Sequence, residues 1–158
     1  MLSDAGSDAP SVLRALHTSV TVADIERSVA FYCDVLGMDV RVRQSSDTPY
    51  IGKLTGFPGA RIEVALLGIP GDNHILELVQ YKEPQGALGA AAPNAIAGHH
   101  FCLLVNGIEE LAQRLRKAGA ELVSDPLEIT HGVNRGAKGF YFRDPDGHVL
   151  ELHERARQ

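Results

Sequence analysis

The chain reads as an α+β protein built from two tandem strand–helix–three-strand units. Three observations support that reading. The order of elements runs strand, helix, strand, strand, strand and then repeats. The last strands of the two halves are near copies: "IPGDNHILELVQY", Ile69 to Tyr81, and "RDPDGHVLELHE", Arg143 to Glu154. Finally, Val22 and Val105 are each taken as the last hydrophobic residue before a helix cap, and counting back five residues from each reaches a histidine, His17 and His100.

Each element has a local reason. "LHTSVTV", Leu16 to Val22, is rich in β-branched residues. Strand alternation puts His17, Ser19 and Thr21 on one face and Leu16, Thr18, Val20 and Val22 on the other. Asp24 is a good N-cap for a helix carrying Ile25, Val29, Phe31, Tyr32, Val35 and Leu36, and Gly37 is its stop. "MDVRVRQ" is the next strand. "SSDTPYIGKLTGFPGA" is read as a long polar loop, and "RIEVALLGI" and "HILELVQY" as strands. "KEPQGALGAAAPNAIAG", Lys82 to Gly98, has no period and is read as a connector.

In the second half, "HHFCLLV" is a strand with His100, Cys102 and Leu104 on one face. Asn106 followed by Glu109 reads as a capping box for the amphipathic helix "IEELAQRLRKAG", which stops at Gly119. "AELVS", "GFYF" and "HVLELHE" supply the remaining strands, with "DPLEITHGVNRGAKG" as a loop. The expected division is a disordered tail at 1–13, a first unit at 14–81, a connector at 82–98, a second unit at 99–154 and a short tail at 155–158.

Composition excludes several classes. At 158 residues the chain fits one compact domain or two small units sharing a core. With 44% hydrophobic and 22% charged residues it is of ordinary globular type. A net charge of −5 argues against nucleic acid as a partner. No apolar run is long enough to span a membrane. The acidic start "MLSDAGSDAPS" lacks the features of a signal peptide, so a cytoplasmic protein is expected. Cys33 and Cys102 have no metal-binding or redox spacing and are read as reduced, largely buried thiols.

The anomaly lies in the twin strands. Glu77 and Glu151 each sit between two leucines. An ionised carboxylate buried without a partner costs several kcal/mol. A single such residue fits a solvated strand face. Two of them at matching positions of a repeat, each with a matching histidine, suggest a shared purpose, and a metal ion is the simplest.

The runs "LHTSVTVADIERSVAFYCDVLGM", "GHHFCLLVNGIEELAQRLRKAGAE" and "FYFRDPDGHVLELHE" resemble the vicinal oxygen chelate superfamily of glyoxalase I, methylmalonyl-CoA epimerase, extradiol dioxygenases and bleomycin-resistance proteins. The resemblance implies two βαβββ modules, each an open half-barrel of mixed strands, forming a cup with the helices outside. It also implies one divalent metal ion held by His17, Glu77, His100 and Glu151. Imidazole and carboxylate suit Zn²⁺, Ni²⁺, Co²⁺, Fe²⁺ or Mn²⁺, and no thiolate is placed to select a soft metal. Such an ion would act as a Lewis acid while a carbon next to a carbonyl loses its proton. Glu151 is the expected base, with Glu63 as a second candidate if its side chain faces the cup.

Further expectations attach to the periphery. His153 shares a face with Glu151 and would support the ligands, as would Ser19 and Thr21. His74, His131 and His148 read as turn or surface residues. Asn134, Arg135 and Lys138 could hold an anionic substrate or form a solvated basic loop. Tyr50 and Phe57 could cover the substrate or simply pack their loop. Bacterial glyoxalase I carries a glutathione-contacting Arg four residues after its first ligand; here Thr21 holds that place, which points to a different small organic acid or thioester. The main alternative is a ring-cleaving Fe²⁺ dioxygenase using His17, His100 and Glu151. A metal-free antibiotic-binding protein is another. A homodimer is the family expectation.

Overall fold

The computed structural model describes residues 10–87, 89, 92–96 and 98–156. The expectation of disorder at the N-terminus therefore falls mostly outside the described residues. The first half contains β1 (His17–Thr21), α1 (Ile25–Ala30), β2 (Asp39–Ser46), α2 (Pro49–Thr55), β3 (Arg61–Gly68) and β4 (Ile75–Glu83). The second contains β5 (His100–Leu104), α3 (Ile108–Lys117), β6 (Leu127–Glu128), β7 (Lys138–Arg143) and β8 (Val149–Glu154). The strands form two four-stranded sheets, ordered β1-β4-β3-β2 and β5-β8-β7-β6. In each, the first strand pairs parallel with the last and the other pairings are antiparallel. Neither sheet closes into a barrel, and the duplicated α+β architecture is the expected one.

Asp24 caps α1 as expected, its carboxylate accepting from the amides of Glu26 and Arg27. The helix then widens into a π-helical turn, Phe31–Val35, before Gly37 takes the left-handed conformation at φ 73°. In the second half the expected capping box does not form. Gly107 is the cap of α3, and the Glu154 carboxylate accepts its amide. Glu109 instead pairs with Lys138.

Two elements depart from the sequence reading. The first long loop contains α2, which starts on Pro49 and stops at left-handed Gly56. The "AELVS" strand is reduced to a bridge between Leu122 and Phe142, and pairing resumes at β6 after Pro126, which has no amide to donate.

One apolar core joins both halves. It takes Val20, Leu67, Leu76 and Leu78 from the first sheet and Leu103, Phe140, Leu150 and Leu152 from the second, with Ile25, Val29 and Tyr32 before β2 and Ile108 and Leu115 of α3. Polar contacts stitch the halves together beside it. Asp144 and Asp146, both buried in the β7–β8 turn, receive the Tyr32 hydroxyl at 2.8 Å and the Arg27 guanidinium respectively. Ser28 adds a bond to Asp146 at 3.3 Å. Asp144 also accepts from the amides of Asp146 and His148, closing its own turn. No buried side-chain polar atom among the described residues lacks a partner, as a buried polar cluster requires. His148 and His74, expected as turn or surface residues, are also structural. His148 Nε2 donates to the Thr21 carbonyl at 2.8 Å, while His74 bonds Thr18 at 2.9 Å and stacks on Phe101.

Candidate functional site

Register and alternation bring each histidine to its glutamate. In the first sheet β1 pairs with β4 so that Ser19 lies opposite Glu77 and His17 opposite Ile75. Glu77 is two residues beyond Ile75 and so shares the face of His17. Its Oε2 lies 3.4 Å from His17 Nε2. The second sheet repeats this with Cys102 opposite Glu151 and His100 opposite Val149. There Glu151 Oε2 lies 3.2 Å from His100 Nε2. Even the exposures match: the two imidazoles are 40% and 44% exposed, and both glutamates 21%.

The four residues do not meet within one chain. Among the described residues, no three His, Cys, Asp or Glu side chains gather as a metal site. The reason lies in the packing. The core-facing residues of β1, β4, β5 and β8 alternate with the His- and Glu-bearing ones, and the core is common to both sheets. Each His–Glu pair therefore looks outward from that core on its own sheet.

The second pair has neighbours that the sequence reading undervalued. Cys102 is exposed rather than buried, and it lies opposite Glu151 on the neighbouring strand. Partial burial and the Glu151 charge push the thiol up to about 11, so it stays protonated near neutral pH. Tyr141 lies opposite Glu151 on β7 and sets its ring edgewise to His100, centroids 5.1 Å apart. Partial burial and Glu151 raise its phenol. His153 shares this face as expected, its Nδ1 lying 3.9 Å from Glu151 Oε1. Alternation pointed to Cys102 and His153, while Tyr141 was not singled out from the sequence. Cys102 was misjudged from residue type, since thiols are usually buried.

The first pair is roofed differently. Ile51 of α2 packs with Ile62, Val64 and Val79 on the sheet face that carries Glu77. Phe57 stands edge-on to Tyr81 of that face at 6.0 Å and is half-exposed, and Tyr50 is more exposed still. Phe57 thus lies at the edge of the His17–Glu77 face. Ser19 is exposed on the same face beside Glu77. Thr21 lines a cavity of about 390 Å³ with Tyr81, Gln85 and His148.

Two expectations are corrected. Glu63 lies opposite Gln80, so it faces away from Glu77, and it pairs with Lys82 at 3.3 Å. The condition for a role as base, facing the cup, is not met. Lys138 precedes Gly139, which lies opposite His153, so it points to the helix side, where it bonds Glu109 of α3 at 2.7 Å. It does not join a substrate-binding loop. Arg135 and Asn134 are exposed in that loop, and their backbones help shape it, the Arg135 amide bonding Gly132 and the Asn134 carbonyl accepting from Ala137.

A duplicated βαβββ unit with a matched His–Glu pair on each copy defines a class of small α+β proteins. The sequence profile of the Glyoxalase/Bleomycin resistance protein/Dioxygenase superfamily matches residues 14–152, and the chain belongs to that superfamily. It is 28% identical over 151 residues to a 2-epi-5-epi-valiolone epimerase of Actinomyces sp, covering 93% of this chain and 82% of that protein. A probable lactoylglutathione lyase of Synechocystis sp. is also 28% identical, over 140 residues, covering 87% and 92%. Among solved structures, a glyoxalase family protein from Bacillus cereus superposes with a TM-score of 0.84 at 24% identity, covering 96% of this chain and all of that one. Among the described residues, no helix is long and apolar enough to cross a membrane.

Proposed function

We propose that this protein is a divalent-metal-dependent enzyme of the glyoxalase–epimerase kind, moving a proton on the carbon next to a carbonyl of a small organic acid or thioester. The observation that carries the reading is the pair of near-identical His–Glu contacts, His17–Glu77 and His100–Glu151, each partly exposed on an outward sheet face. The donor set fits the ion: imidazole nitrogen and carboxylate oxygen suit Zn²⁺, Ni²⁺, Co²⁺, Fe²⁺ or Mn²⁺. When bound, such an ion supplies Lewis acidity to a carbonyl oxygen.

The remaining work falls to the chain. Glu151 is the proton acceptor in this reading, since it is partly exposed and stands among Cys102, Tyr141 and His153, which can hold it in place. Tyr50, Phe57 and α2 shield the substrate from water over the first sheet, and Thr21 lies at the adjacent cavity. The placement of Glu77 beside His17 favours this chemistry over ring cleavage. A dioxygenase using His17, His100 and Glu151 would leave Glu77 idle in a contact that mirrors the other.

Because the two pairs face outward from one core, a four-ligand site takes one pair from each of two chains, and a homodimer would carry two such sites. The names of the two relatives, an epimerase and a lyase, support the same kind of reaction. The experiment is to measure the metal content of purified protein and screen acyl thioesters and hemithioacetals for proton–deuterium exchange in D₂O. The reading expects bound metal and exchange that both fall with His100→Ala and Glu77→Ala. Metal occupancy untouched by Glu77→Ala would overturn the four-ligand site.

A further inference from the structure

Gly139 sits inside β7, and nothing in the strand's own geometry requires glycine there. Its backbone is outside the left-handed region that favours glycine. The pairing of β7 with β8 runs from Lys138 to Arg143 without a bulge. A Cβ would meet ordinary contacts only: the Leu152 carbonyl oxygen at 3.4 Å, Glu151 Oε1 at 3.5 Å and Ile129 Cδ1 at 3.9 Å. Glycine weakens a strand interior, and where no bulge, bend or crowding explains it, the close approach of a ligand is the remaining common cause. The place is beside the proposed base. Gly139 lies opposite His153, so it shares the face of Glu151 and stands diagonal to it. On its other flank Leu127 of β6 lies opposite it and is 59% exposed. Ile129 follows on that flank, fixed by 2.8 Å backbone bonds to Ala137 and Gly136. The first half fills the matching place. Val64 lies opposite Val79 as Gly139 lies opposite His153, and both valines are buried with Ile62 and with Ile51 of α2. Beside Glu77 the protein's own side chains take the space; beside Glu151 it is left open between the carboxylate and two apolar side chains.

We infer that Gly139 is a specificity-determining position: the gap over it receives a short apolar substituent of the carbon that gives its proton to Glu151. The inference rests on the function proposed above and deepens it. Leu127 and Ile129 offer no hydrogen-bond partner from their side chains, so a charged or hydroxylated substituent would give up water there without replacement. The substrate class narrows to acids or thioesters whose reacting carbon carries a short alkyl group.

The test loads full-length wild type, Gly139→Ala and Gly139→Val with Co²⁺ and titrates each with formo-, aceto- and propionohydroxamate by calorimetry. Hydroxamates present two oxygens on neighbouring atoms to a metal and carry an alkyl tail of chosen length. In wild type the affinity is expected to rise about fourfold with each added carbon. Both variants should keep wild-type affinity for Co²⁺ and for formohydroxamate but lose that rise, Gly139→Val completely. Gly139→Ala should melt at or above the wild-type midpoint, since alanine suits a strand interior better than glycine, so its lost affinity is not lost fold. An equal rise in all three proteins, or none in wild type, would overturn the inference while leaving the metal site standing. So would weaker Co²⁺ binding by Gly139→Ala, because the glycine would then serve the ligand carboxylate and not the substrate. A wild type that takes up no Co²⁺ would overturn the inference together with the proposed function.

Discussion

The outward orientation of the two His–Glu pairs makes a quantitative prediction about mixed dimers. One variant, His17→Ala with Glu77→Ala, loses the first pair and keeps the second. The other, His100→Ala with Glu151→Ala, does the reverse. Each alone lacks half of every site, so neither should bind metal with full affinity or turn over. A mixed dimer is different. If each centre takes one pair from each chain, the mixed dimer has one complete centre and one with neither pair. Equimolar chains that exchange freely give about half mixed dimers. Since each of those has one good centre in two, the mixture should regain about one quarter of the wild-type metal content and activity. The assay is to unfold and refold the variants together, or to co-express them with different tags, and then measure metal and proton exchange. Purified mixed dimers should reach about one half. No recovery from a verified mixed dimer would refute the shared centre. The four donors could then meet only if one chain rearranged its common core.

Other outcomes follow from contacts already described. Tyr32→Phe removes a buried hydroxyl that donates to Asp144, while Asp144 keeps two backbone amides. A hydrogen bond to a charged group contributes about 1.5–3 kcal/mol, so urea unfolding should show a loss of about 2 kcal/mol and thermal unfolding a midpoint lower by about 4–8 °C. Burial and then Asp144 hold the Tyr32 phenol well above its ordinary range. The folded protein therefore keeps that proton where the unfolded chain loses it. The stabilisation is complete below about pH 10 and fades above it, so the gap between wild type and Tyr32→Phe should narrow in alkali, and a gap that widens would contradict the assignment. Glu63→Gln should leave metal content and exchange rate within about twofold, and stability within about 0.5 kcal/mol, because its partner pair with Lys82 is partly exposed; a large fall in rate would return Glu63 to the list of bases. Stripping metal with a chelator should lower the thermal midpoint, since an ion at about 100 times its Kd contributes about 2.7 kcal/mol, and an unchanged midpoint would count against a bound ion.

The four ligand candidates were legible because two independent periods converge on them. Alternation in β1 and β5 fixes the face of each histidine, and the repeat fixes its glutamate partner. What stayed hidden was where each face looks, because that depends on which residues share a core across some eighty positions of chain. Glu63 and Lys138 show the same limit at smaller scale: residue type and proximity in sequence suggested a role, and register placed both on the face opposite their sheet's His–Glu pair. The helix α2 had its signals, Pro49 at the start and Gly56 at the end, but it is short and carries Gly52 within it. That glycine has a tertiary cause. A Cβ there would come within 3.0 Å of the Phe57 carbonyl oxygen and 3.2 Å of the Gly59 amide nitrogen, so the helix gives up propensity to let the following turn fold over it.

The continuous apolar interior has a consequence for dissecting the molecule. Side chains from before residue 83 and from after residue 100 fill the same space. Expressing either half by itself would leave a broad oily surface with nothing to cover it, and such a fragment should aggregate or pair with its missing complement rather than stand alone. Lengthening the run between β4 and β5 disturbs none of those contacts, so a peptide tag inserted there should be carried at little cost where the same tag inside a strand would not.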